Sequence, residues 1–196
     1  LYLNNQDGTF TTFTSDPIVQ DDSPSDGVTF GDVDNDGDLD AYMVTWYGAR
    51  NYFYRNMMSE GSLAFDFEAS NALSGNTYSE TASFGDFNND GWLDLYTTNS
   101  TDFATNAASI QRNQLFVNDQ TGKLERVQSG NWVTDAQISR SVQWTDFDDD
   151  GDIDLFVSNE ENQRNDLYRN DGDSLFTKVT DLTFLQDARS STGSSW

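Results

Sequence analysis

The chain has 196 residues, 34 of them acidic and 10 basic, for a formal charge of −24, with neither cysteine nor histidine. That composition excludes disulfides, thiolate metal sites, histidine bases and a Ser-His-Asp triad. It also argues against nucleic acid and anionic membrane surfaces as partners, because both are held by Lys and Arg.

No run of about 18 apolar residues occurs, so no membrane insertion is expected. Hydrophobic residues make up only 35%, but aromatics reach 14%. Rings bury much area each, so the chain folds if they sit between packed sheets.

In chain order, Leu1-Tyr2-Leu3-Asn4 reads as a short strand before an Asn/Asp/Gly turn, and Phe10 opens the returning strand. Phe30-Gly31-Asp32-Val33-Asp34-Asn35-Asp36-Gly37-Asp38-Leu39-Asp40 is an acidic loop that feeds a strand at 39–46. Phe53-Tyr54-Arg55-Asn56 repeats the hairpin, with a longer turn before Leu63. Phe84-Gly85-Asp86-Phe87-Asn88-Asn89-Asp90-Gly91-Trp92-Leu93-Asp94 is the second acidic loop, followed by a strand at 93–98. Leu115-Phe116-Val117-Asn118 and Leu124 give the next hairpin. Trp144-Thr145-Asp146-Phe147-Asp148-Asp149-Asp150-Gly151-Asp152-Ile153-Asp154 is the third loop, with a strand at 153–158. Leu167-Tyr168-Arg169-Asn170 and Phe176 form the last hairpin. No stretch sustains a 3.6-residue apolar period.

Asp32 to Asp86 is 54 residues and Asp86 to Asp146 is 60. One unit therefore runs strand, acidic loop, strand, connection, strand, turn, strand. Four-stranded units at this period suit propeller blades. The expected fold is all-β: a β-propeller of four-stranded antiparallel blades, of which only part is present. Blades are expected at about 26–78, 79–136 and 137–187, after a leading half-blade at 1–25 and before the start of another at 188–196. Phe30, Phe84, Trp144 and Trp196 share one repeat position and are expected to pack between blades. The order of features at 1–30 matches that at 167–196, so the segment is expected to belong to a longer polypeptide. The connections 69–79 and 100–111 are expected to be exposed.

Within each nine-residue loop, oxygen-bearing side chains stand at positions 1, 3, 5 and 9. These are Asp32, Asp34, Asp36 and Asp40; Asp86, Asn88, Asp90 and Asp94; and Asp146, Asp148, Asp150 and Asp154. Position 6 is always glycine, which permits the sharp turn. Position 7 (Asp38, Trp92, Asp152) varies in chemistry, as suits a backbone carbonyl ligand. Six to eight oxygens around a tightly wound chain are what calcium needs. About three calcium ions, one per loop, are expected. An EF-hand is excluded, because its closing Glu is replaced by Met43, Thr97 and Val157.

The Phe-Gly-Asp-Val-Asp-Asn-Asp-Gly-Asp-Leu-Asp loop and its copies resemble the FG-GAP/VCBS repeat family, as does the Leu-Tyr-Arg-Asn…Phe hairpin at 167–176. That family includes the calcium-bearing blades of integrin alpha-subunit propellers and many secreted bacterial proteins. The resemblance implies a β-propeller with calcium in the loop between the first two strands of a blade. The second loop departs from the pattern at Asn88 and Trp92, which implies weaker binding there.

The clustered acids are accounted for as metal ligands, so no catalytic residue is assigned. Glu160, Glu161, Asp66 and Glu68 read as solvated charges. Trp46-Tyr47 and Trp132 read either as sugar-stacking rings or as packing. The expected function is an extracellular or cell-surface adhesion or ligand-binding module. Its partner would be a protein, a glycan or neighbouring copies of itself. The alternatives are an accessory propeller of a larger secreted enzyme and a structural repeat of an extracellular matrix or filament.

Overall fold

The computed structural model describes residues 1–20, 22–62, 64–69, 73, 75, 77–103, 110–172 and 175–195. A two-stranded ribbon, β1 (Tyr2–Asn4) and β2 (Phe10–Thr12), comes first. Three antiparallel four-stranded sheets follow, each in sequential order. The first holds β3 (Ser25–Gly31), β4 (Asp40–Thr45), β5 (Tyr52–Asn56) and β6 (Phe65–Glu68). The second holds β7 (Ser79–Gly85), β8 (Asp94–Asn99), β9 (Gln114–Asn118) and β10 (Leu124–Arg126). The third holds β11 (Ser139–Thr145), β12 (Asp154–Asn159), β13 (Asp166–Asn170) and β14 (Phe176–Val179).

This is the blade architecture expected from the repeat. Each acidic loop joins the first and second strands of its sheet, and no helix follows Asp40, Asp94 or Asp154. The first strands lie side by side, β3 against β7 and β7 against β11. Helical structure among the described residues is confined to short turns at Pro17–Val19, Asn131–Thr134 and Thr183–Gln186.

Two apolar layers fill the gaps between blades. Val33, Tyr42, Phe53, Leu95 and Phe116 share one, and Phe87, Tyr96, Leu155, Val157 and Tyr168 share the other. The second position of the first two acidic loops thus points into the core while its neighbours are half-buried: Val33 is 0% and Phe87 2% exposed, and Phe147 in the third loop is partly buried.

The Phe-Gly pair at the head of each loop has a packing cause. A Cβ on Gly31 would lie 2.8 Å from the Phe84 ring, and one on Gly85 would lie 2.7 Å from the Trp144 ring. Each blade's ring therefore lies on the glycine of the blade before it, and only a residue without a side chain admits it. Phe30 is 46% exposed instead, and Trp196 falls outside the described residues.

A second seam is polar. The side-chain amide of Asn51 donates to Ser79, that of Asn113 to Ser139 and that of Asn165 to Ser191, at 2.9, 2.9 and 3.1 Å. The same three asparagines accept the backbone N–H of Thr45, Asn99 and Asn159. One side chain thus closes its own blade and reaches the next.

Some expectations need correction. The connections 69–79 and 100–111 are not simply exposed: Leu73, Thr77, Ser79, Ser100 and Thr101 are all buried. The reason is that their ends carry the hydrogen bonds between blades. Leu63 and residues 104–109 lie outside the described residues. Trp132 packs: its ring centroid is 5.2 Å from that of Phe176.

The ring-on-glycine contact predicts the cost of a methyl group. Gly85→Ala should lose about 1–3 kcal/mol of stability by urea unfolding, because the Trp144 ring must move. Gly193→Ala, with nothing within 4 Å of the new atom, should change stability by less than about 0.5 kcal/mol. Equal effects would contradict the packing account.

Candidate metal centre

The three acidic loops fold alike because the same internal hydrogen bonds close each one. The carboxylate at position 1 accepts two backbone N–H groups, from positions 5 and 6. Asp32 takes those of Asp36 and Gly37, Asp86 those of Asp90 and Gly91, and Asp146 those of Asp150 and Gly151, all at 2.9–3.1 Å. The carboxylate at position 5 accepts the N–H of position 7. Both position 4 (Asn35, Asn89, Asp149) and the glycine at position 6 have positive φ. Asn and Asp tolerate that region best among residues with side chains. Position 4 is therefore a conformational requirement, which the reading of oxygen spacing passed over.

Position 9 is the innermost. Asp40, Asp94 and Asp154 are 0–1% exposed. One carboxylate oxygen of each accepts the N–H of loop position 2: Val33 at 3.2 Å, Phe87 at 3.3 Å and Phe147 at 2.9 Å. The other accepts the N–H of Asn56, Asn118 or Asn170 at 2.8–2.9 Å. These asparagines close the Leu-Tyr-Arg-Asn motif and its copies, which explains why that motif recurs in step with the loops. Two of them also reach back one blade. The Asn118 amide donates to the Val33 carbonyl, and the Asn170 amide donates to that of Phe87. Burial pushes the Asp94 carboxyl up to about 7 and that of Asp40 to about 6, against the two backbone hydrogen bonds each accepts and, at Asp40, against the Arg55 guanidinium. Asp154 moves the same way for the same cause.

Oxygens of Asp32, Asp34 and Asp36 lie within 4.8 Å of one another, as do those of Asp146, Asp148 and Asp154. Asp36, Asp38 and Glu60 form an adjoining group at the first loop. Among the described residues the second loop forms no such carboxylate trio, because Asn88 stands at position 3 and its oxygen accepts the Asp90 N–H. Trp92 at position 7 offers no side-chain oxygen, whereas Asp38 accepts the Ser59 N–H and Asp152 accepts the Asn89 amide.

The turn between the outer two strands folds over the loop. Ser59 donates to Asp36 at 2.5 Å and Gln120 to Asp90 at 3.1 Å. Glu60 and these donors had no local signal in the sequence, because they come from a different turn.

Two buried oxygens, Asp34 Oδ1 and Asp38 Oδ1, accept no hydrogen bond. A buried carboxylate oxygen without a donor is costly. A hard cation among Asp32, Asp34 and Asp36 would satisfy the first of them, and an all-oxygen donor set without His or Cys suits calcium. The residues present therefore fit the ion. Each loop differs in its surroundings. Arg55 lies 3.1 Å from Asp34 and 3.2 Å from Asp40, and it also bonds the Gly122 carbonyl of the next blade. Its counterpart in the third blade, Arg169, pairs with Asp171 instead, and in the second blade the position is Val117.

Residues 1–43 and 146–196 match the family model described as an FG-GAP-like repeat. The chain is 28% identical over 170 residues to human cartilage acidic protein 1, which covers 85% of the chain and 25% of that relative. The chain thus spans about a quarter of the relative's length.

The buried position-9 carboxyls set a pH dependence. For Asp94 the folded value, about 7, lies above the ordinary 3.8. The folded state therefore holds the proton more tightly, and the stability this gives is present below pH 3.8 and lost as the pH rises through about 7. Chelator-treated protein should weaken across that window in urea unfolding, and Asp94→Asn should flatten part of the slope. A bound cation favours the ionised form, so excess calcium should cancel or reverse the decline. Identical profiles with and without calcium would count against metal at position 9.

Proposed function

The chain carries FG-GAP-like repeats over residues 1–43 and 146–196, and on that basis we propose that it is a calcium-stabilised blade segment of an extracellular propeller that binds a partner rather than catalysing a reaction. The observation that carries the calcium reading is the buried, unpartnered Asp34 oxygen within the Asp32, Asp34 and Asp36 carboxylate group. One ion per loop would take the formal charge from −24 to −18 and relieve repulsion among acids packed into nine residues.

The ligands of each loop come from one short contiguous segment, and the loop closes on a buried aspartate that staples two strands. A catalytic metal draws ligands from separate elements and leaves open positions facing a pocket. Here the ion would fix the turn, and through position 9 the register of the blade. Differences among the loops point to an order of affinity. The third has most carboxylates, and among the described residues none of them forms an ion pair with an arginine. The first shares two of its acids with Arg55. The second has an amide at position 3.

An extracellular placement is supported by the repeat type and by the relative, whose name places it in cartilage. No helix among the described residues is long and apolar enough to cross a membrane. The partner would be a protein or a glycan.

Titrating calcium into chelator-treated protein should show about three saturable sites by calorimetry and raise the melting temperature. Each site should add about 2.7 kcal/mol at a hundredfold excess over its Kd. Asp150→Ala should remove one site and lower the calcium-dependent part of the melting temperature, leaving any partner binding affected only through folding. No heat and no change in melting on adding calcium would refute the proposal.

A further inference from the structure

We infer that the second blade holds a binding cavity for an acidic sugar, a uronate- or sulfate-bearing residue, at the end of the blade away from its acidic loop. The cavity has a volume of about 460 Å³ and is lined by Arg112, Arg126, Gln114, Gln111 and Thr77 among others. That volume is in the range of small-molecule sites.

The repeat supplies its own comparison. Arg50, Arg112 and Arg164 each precede the asparagine that bonds the next blade. Tyr52, Gln114 and Asp166 open the third strand of their sheets. Phe67, Arg126 and Lys178 sit opposite Tyr54, Phe116 and Tyr168 in the fourth. The same three positions therefore meet in every blade, but the residues that stand there differ. In the first, the Arg50 guanidinium lies 5.5 Å from the Tyr52 ring centroid and 4.7 Å from that of Phe67. In the third, Lys178 is 2.9 Å from the Asp166 carboxylate. In the second blade no ring and no acid stands at these positions.

The consequence is a set of unused groups. Of the ten basic residues, Arg55, Lys123, Arg140, Arg169, Lys178 and Arg189 form ion pairs. Among the described residues Arg112, Arg126 and Arg164 have no ion pair or side-chain hydrogen bond, in a chain with 34 acids; Arg164 shares its cavity with Asp166, whereas Arg112 and Arg126 share theirs with no acid. Beside them Gln114 is 3% exposed, and its carbonyl oxygen accepts no hydrogen bond. Gln111 is held by accepting the Tyr78 N–H at 2.8 Å, which leaves its NH₂ as a further donor.

These groups define the ligand. Two guanidinium groups suit a carboxylate or sulfate, which they bind with paired donors. A simple anion has no hydrogen to give the buried Gln114 oxygen, whereas a sugar hydroxyl does. An acid and a hydroxyl on one small scaffold meet both needs. The strongly negative net charge does not forbid this, since fields of exposed charges beyond about 8 Å are screened at physiological salt.

Binding of glucuronate, glucose and inorganic sulfate should be measured by calorimetry or by NMR shift changes, once with calcium and once with chelator. Glucuronate should bind saturably at one site, glucose should not bind at the same concentration, and inorganic sulfate should bind more weakly than glucuronate. Arg112→Gln and Arg126→Gln should each weaken glucuronate about tenfold or more without moving the melting temperature, because both side chains are exposed. Arg164→Gln, the equivalent change in the third blade, should leave binding unaltered. Equal binding of glucose, or full binding by the two variants, would overturn the inference. Sulfate binding as tight as glucuronate would overturn the sugar assignment. The cavity lies away from the acidic loops, so binding under chelator separates this result from the fate of the calcium proposal.

Discussion

The structure hangs on a buried carboxylate used as a staple. Asp40, Asp94 and Asp154 each receive two backbone N–H groups, one from the acidic loop and one from the third strand of the sheet. Leaving such an ion unpaired in the interior would be strongly destabilising. With both donors in place it ties the first turn of the blade to the strand beyond the next. The loop hydrogen bonds, the positive φ at position 4 and the glycine at position 6 all bring the chain round so that position 9 arrives there. A cation held by the loop would act on the same assembly, because its candidate ligands lie in the segment that these bonds close.

Blades are then joined by contacts that repeat. A ring lies on the preceding glycine, as Phe84 does on Gly31 and Trp144 on Gly85. An asparagine amide reaches a serine in the following blade, and another reaches back to a loop carbonyl in the preceding one. Position 4 of the loops adds a link, with Asn35 bonding Gly91 and Asn89 bonding Asp152. These contacts among the described residues join neighbouring blades, the arrangement of a one-dimensional array in which stability is approximately a sum over units and interfaces.

A frame held this way leaves other positions free to vary. The turn after the second strand shows it. Trp46 to Ala49 and Glu160 to Gln163 close with the same hydrogen bond and the same pair of positive φ angles, yet one displays Trp and Tyr and the other two glutamates. Trp46 is held there by an indole N–H bond of 2.9 Å to buried Glu80, which also pairs with Arg140 of the next blade. The sheet ends away from the acidic loops differ from blade to blade in this way, while the loop ends are nearly alike.

The acidic loops could be read from sequence because their groups are contiguous. Oxygens at positions 1, 3, 5 and 9 with glycine at 6 are a local pattern, and the second strand follows within a residue of where it was expected. The four-strand unit was legible for a related reason, since two motifs alternating at a near-constant spacing leave little choice of topology. What sequence could not decide is which oxygens turn inward to backbone donors and which stay without a partner, as those of Asp34 and Asp38 do. Nor could it place Glu60 beside Asp38, or bring Arg112, Gln114 and Arg126 to one cavity. A trace existed, in the Arg-Asn pair that recurs at 50–51, 112–113 and 164–165. Its meaning depends on strand register, which sets Arg126 opposite Phe116 and so beside the start of the third strand, and register is a property of the paired sheet. Local spacing therefore determined the loops and the repeat, and the tertiary structure alone decided which equivalent positions in each blade are satisfied and which are left open.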